Sequence, residues 1–140
     1  DLCTAFAQGN MGHAIMLANS EHFNEIREAA VHLLRHVHDM ELSEIVEAVN
    51  SVTAFKLEIT DYLDIIAVWY RDVLLYKATR DMDTVVFKDQ IDDIREQARK
   101  SSYEGIQLII SSLDKAKARL KANVNFDLVM ELLFLTMKEN

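Results

Sequence analysis

Residues 57–78 read Leu-Glu-Ile-Thr-Asp-Tyr-Leu-Asp-Ile-Ile-Ala-Val-Trp-Tyr-Arg-Asp-Val-Leu-Leu-Tyr-Lys-Ala. Ile59, Tyr62, Leu63, Ile65, Ile66, Val68, Trp69, Tyr70, Val73, Leu74 and Leu75 cover well over half of a helical circumference. A helix so apolar is normally central, packed by neighbours on several sides. At 1.5 Å per residue it spans roughly 33 Å, about one domain diameter. The rest of the chain must supply the neighbours. It contains no proline and only three glycines, Gly9, Gly12 and Gly105. Sandwiches and α/β folds use such residues heavily at their turns. Their scarcity points to an all-α fold.

Outward from this segment, helical spacing continues in both directions. On the N-terminal side, Phe23, Ile26, Ala30, Leu33, Leu34 and Val37 recur at three- and four-residue steps, which predicts a helix over 21–38. Ser20 is placed to cap it. Asp39 is placed to cap a further helix carrying Leu42, Ile45, Val46, Val49 and Val52 on one face and ending near Thr53. On the C-terminal side, 79–87 is irregular, with Val85, Val86 and Phe87 expected to tuck onto the core. Helices follow over about 89–100, with Ile91, Ile94 and Ala98 inward, and over 103–122, with Ile106, Ile109, Ile110, Leu113, Ala116 and Leu120 inward. Asn123 and Asn125 bracket Val124, and asparagine favours helix ends. A last helix from Phe126 carries Val129, Met130, Leu133, Phe134 and Met137 on an apolar stripe. Before Asn19 and Ser20 the pattern gives two short helices separated at Gly9 and Asn10. The expectation is a bundle of about five or six helices, 21–140, preceded by two short ones in 1–20.

Composition bounds the function. Half of the 140 residues are apolar and 27% are charged, enough apolar material for a buried core. A single cysteine, Cys3, excludes a disulfide framework and a four-cysteine zinc site, so a reducing cytoplasm is the expected compartment. No apolar run approaches the ~18 residues of a membrane span, and no signal peptide is visible. The chain begins at Asp1, not Met, and is expected to be part of something longer. Its net charge of −8 disfavours a whole-molecule nucleic-acid binder.

Candidate chemistry is sparse. His32, His36 and His38 cluster, and His32 and His36 share a face, but Leu33 stands where a zincin needs glutamate. Di-iron bundles need Glu-x-x-His pairs, which are missing. Solvated or dipole-complementing histidines are the expectation, with no metal and no cofactor. The basic run Lys115, Lys117, Arg119, Lys121 could touch phosphates, but such a run is more often the solvated back of a helix. Nucleophile motifs and phosphate-cradling glycine loops are absent. No catalytic residue is expected. Arg71 and Asp72 interrupt the most apolar helix beside Trp69, and charges there need partners. Two readings stand for them: they emerge at the surface between buried turns, or they mark an interface with another helix or subunit.

Three segments in order resemble the C-terminal part of delta-prime subunits of bacterial DNA polymerase III clamp loaders. Ala5-Phe6-Ala7-Gln8-Gly9-Asn10-Met11-Gly12-His13-Ala14 resembles the glycine-rich junction of the helical lid in clamp-loader ATPase modules. Tyr62 to Lys77, with Trp69, Arg71 and Asp72, resembles the long helix of the oligomerisation domain. Asn123-Val124-Asn125-Phe126-Asp127-Leu128 resembles its closing Asn-x-Asn-x-x-Leu helix. Gly12 stands where hydrolysing subunits carry a nucleotide-sensing arginine, so the resemblance implies no ATP sensing here. His13 departs from the arginine usual in delta-prime subunits. The resemblance implies that 1–20 is the tail of the lid and 21–140 a helical collar domain. It also implies that any nucleotide-binding module precedes Asp1. Trp69, Arg71, Asp72, Asn125 and Phe126 become structural or interface candidates. The implied partners are other loader subunits, with the sliding clamp and primed DNA met only through the whole complex. No membrane and no small-molecule ligand are expected. The competing reading is a ligand-sensing and dimerisation domain of a transcription regulator, which should hold an apolar pocket and form a two-fold dimer.

Overall fold

Phe23, Ile26, Ala30, Leu33 and Leu34 lie buried along one side of α1 (Glu21–His36), which continues as a 3-10 turn through Val37 to Asp39. The computed structural model describes residues 21–140. Then follow α2 (Leu42–Val52), a 3-10 stretch (Thr53–Glu58) and α3 (Ile59–Thr79). Two 3-10 turns, Met82–Thr84 and Lys88–Gln90, lead into α4 (Ile91–Lys100), then α5 (Tyr103–Lys121) and α6 (Phe126–Glu139). Among the described residues this is an all-α bundle of six helices with no strand. The two short helices expected in 1–20, with the Ser20 cap and the Gly12–His13 junction, lie outside the described residues.

α3 is the central element. It packs against α1, α4 and α5, while α6 packs against α5 and α2. Tyr62, Leu63, Ile65, Ile66, Trp69, Tyr70 and Val73 are all buried, as its apolar circumference requires. Val85 and Phe87 are buried too, so the irregular stretch does fold onto the core.

Several local expectations shift. Asp39 does not cap α2; it sits in the 3-10 turn, and Met40 is extended. Glu41 is the cap residue, and its N–H donates to the Glu44 carboxylate at 3.1 Å. Ile45, Val49 and Val52 turn inward, and Leu42 and Val46 are left on the outside. α3 begins at Ile59, and Leu57 is 95% exposed on the preceding 3-10 stretch. The close of α5 and the start of α6 are where the asparagines suggest. The Ser102 hydroxyl accepts the Gly105 N–H at 2.9 Å. A side chain on Gly105 would come within 3.2 Å of the Asn140 carbonyl, so glycine permits the close approach of the end of α6 to the start of α5. Asn123 closes α5 with φ 61°, while its N–H reaches Leu120 and the Val124 N–H reaches Arg119. This is a Schellman ending, which favours glycine or asparagine at the left-handed position.

Candidate functional site

The charged interruption of α3 resolves into two unlike residues. Arg71 is exposed. Asp72 is 1% exposed and faces the 85–87 stretch. Its Oδ1 accepts the Val86 N–H at 3.0 Å, and its Oδ2 accepts the Phe87 N–H at 2.8 Å. A buried carboxylate is tolerable when backbone donors satisfy it. Burial pushes the Asp72 carboxyl above its ordinary range, against the opposing pull of those two amides and the Arg71 charge. The surface reading thus holds for Arg71 and not for Asp72: Arg71 emerges at the surface, whereas Asp72 staples a loop to the core.

Trp69 belongs to the same structure. It is 1% exposed and meets Phe87 edge-on, with ring centroids 5.4 Å apart. The Arg27 guanidinium lies 5.5 Å from the centroid of the Phe87 ring and donates to Asp89 at 2.8 Å. Partial burial raises the Asp89 carboxyl, but hydrogen bonding and charge from Arg27 prevail and hold it below the usual carboxylate range. The loop after α3 is therefore held from three sides, by α3, α1 and its own turn. The signal in the sequence was an aspartate three residues after a tryptophan on an inward face.

Asn125 and Phe126 occupy the α5–α6 junction. The Asn125 side chain accepts the Leu128 N–H at 3.0 Å and caps α6. Phe126 is buried, with the Lys56 ammonium 5.5 Å from its ring centroid. These five residues do not converge. Trp69, Asp72 and Phe126 are interior, and Arg71 and Asn125 are exposed at separate places.

The histidines separate as well. His32 and His36 are exposed, with ring centroids 4.6 Å apart. His38 is instead tied into the bundle: its Nε2 lies 2.9 Å from Gln97 Oε1 and its Nδ1 3.2 Å from the Lys138 carbonyl. Gln97 in turn donates to the Ser101 hydroxyl at 2.6 Å. This network joins the 3-10 turn after α1 to α4 and α6, and the sequence reading missed it because its members are 59 and 100 residues apart. Among the described residues no group of three or more His, Cys, Asp and Glu side chains is disposed to hold a metal. No helix among them is long and apolar enough to cross a membrane.

The basic run on α5 is partly engaged. Lys117 pairs with Asp64 and ties α5 to α3. Lys115 and Arg119 remain exposed, beside a shallow cleft shared with Leu132 and Thr136 of α6. Leu108 on α5 and Leu128 and Leu132 on α6 are each about half exposed.

Residues 23–139 match the family described as DNA polymerase III, delta subunit, C terminal. The chain belongs to that family. It is also 27% identical over 133 residues to DNA polymerase III subunit delta' of Bacillus subtilis (strain 168), a match that covers 93% of this chain and 40% of that protein. The chain thus spans well under half the length of this curated relative. No solved structure gives a significant match. The two names differ, delta for the family and delta' for the relative, and agree on a DNA polymerase III subunit. This membership does not favour the transcription-regulator reading.

Proposed function

We propose that residues 21–140 form the non-catalytic oligomerisation, or collar, domain of a DNA polymerase III clamp-loader subunit of the delta-prime type. Residues 1–20 are, in this reading, the tail of a preceding helical lid. The domain assembles the loader ring with the ATPase subunits and delta, and the sliding clamp and primed DNA are reached only through that complex. The compartment is the cytoplasm, and the domain needs no cofactor of its own.

The observation that carries this reading is the family match over nearly all of the described helices. The name of the Bacillus subtilis relative supports the delta-prime subtype. The surface supports an assembly role. Leu42, Val46, Leu108, Leu128 and Leu132 stand on outer faces of α2, α5 and α6 although the core is already filled. Apolar area left outside a filled core is expected where another protein packs. Ring contacts are heterologous, so two different faces should serve two neighbours. Of the site candidates, Arg71 and Asn125 are exposed and open to a neighbour, whereas Trp69, Asp72 and Phe126 hold the helices that present these faces.

The test is a pull-down of the intact subunit against the ATPase subunits of the same loader, with and without residues 21–140. Loss of assembly on deletion is expected. Assembly at undiminished affinity would refute the collar reading, and a tight two-fold dimer of the isolated chain would favour the regulator.

A further inference from the structure

A groove of about 470 Å³ runs between α1, α2 and the 3-10 stretch that precedes α3. Its floor is apolar, made by Leu33, Met40, Val52, Phe55 and Tyr62. Its walls carry small residues, Ala29 on α1 and Ala48 and Ser51 on α2, which let a visiting side chain approach both helix backbones. Its rim is acidic on both sides, with Glu28 on α1 and Glu44 and Glu47 on α2. Glu44 accepts the Glu41 N–H. Among the described residues no lysine or arginine forms an ion pair with any of the three. Among the described residues the groove has no lysine or arginine in its lining, and the one basic group there is His32.

We infer that this groove seats a basic amphipathic helix from a protein partner. A slot between two helices with an apolar floor is the shape into which the apolar face of a third helix packs. Carboxylates on both walls select the flanking charge: lysines or arginines beside the apolar stripe meet Glu28 on one side and Glu44 and Glu47 on the other. An acidic helix or a nucleic acid meets like charge on both walls. The inference stands on the groove itself and holds whether or not the domain assembles a ring.

The experiment uses the full 140-residue chain and a fluorescein-labelled 15-residue peptide of leucine and lysine, with leucines at i, i+3, i+4 and i+7. Anisotropy should show saturable binding and far-UV circular dichroism a gain of helix on mixing. Glu28→Lys with Glu47→Lys should weaken binding at least tenfold, and Ala48→Trp, which fills the slot, should do the same. Asp114→Lys with Glu139→Lys makes the same change in net charge elsewhere on the surface and should leave affinity within about twofold. The inference is overturned if a scrambled leucine–lysine peptide or a leucine–glutamate peptide binds equally well, or if the Glu28/Glu47 variant keeps its affinity while remaining helical. Absence of any binding to the wild-type chain overturns it as well. So does concentration-dependent self-association that the groove variants abolish, since the occupant is then a second copy.

Discussion

At Asp72 the chain buries a carboxyl group in its most apolar helix and satisfies it with two backbone amides from the loop that follows. The arrangement has a pH signature. Burial raises the Asp72 carboxyl above its ordinary value of 3.8, so the folded chain holds this proton more tightly than the unfolded one. The stability that follows is greatest below the unfolded value and is lost as pH rises through the folded value. Asp72→Asn removes the titration while keeping the shape. The melting temperature of wild type minus that of Asp72→Asn should therefore fall as the pH is raised from about 4 toward neutrality. Other carboxylates cancel in the difference. A gap that widens with pH would mean that the amides outweigh burial and that the carboxylate is the favoured form.

Elements were more legible than contacts. The apolar circumference of residues 57–78 revealed a central helix because packing on several sides leaves a mark at every turn. The stripe Phe126, Val129, Met130, Leu133, Phe134, Met137 gave α6, and all six of those residues are buried. Leu42 and Val46 misled, because the apolar stripe of α2 is wider than its buried face: the Ile45, Val49 and Val52 ridge turns inward and the adjacent ridge stays outside. The groove was not legible at all. It is a space shared by α1, α2, the 3-10 stretch and α3, and its carboxylates look like any solvated face when each helix is read alone. The α5–α6 junction was legible from Asn123 and Asn125, and it carries a prediction. Asn125→Ala removes the acceptor for the Leu128 N–H and should cost about 1 kcal/mol of stability by denaturant titration. The neighbouring Schellman ending keeps α5 closed in that variant, so the loss should stay confined to the start of α6. An unchanged midpoint would show that water caps the helix as well as the side chain does.

For the whole molecule, charge decides what the domain meets directly. The chain carries −8 overall, and its one basic run does not act as a unit. Lys117 is held by Asp64, which leaves Lys115 and Arg119 one turn apart on the exposed side of α5 and Lys121 exposed at its end. Affinity for duplex DNA scales with the number of phosphates neutralised, and at most three contacts on a strongly acidic body supply little of it. Leu128 and Leu132 on the adjacent helix make the same face apolar, which suits a protein neighbour better than a phosphate backbone. Anisotropy of a labelled 20-base-pair duplex should accordingly show no saturable binding up to ~50 μM chain at ~150 mM salt, where non-specific binders commonly register. Lys115→Glu with Arg119→Glu should change nothing in that assay, yet weaken assembly with loader subunits if α5 and α6 form a ring face. Saturable, salt-sensitive DNA binding that this double substitution abolishes would reverse the assignment and place nucleic acid on the basic side of α5.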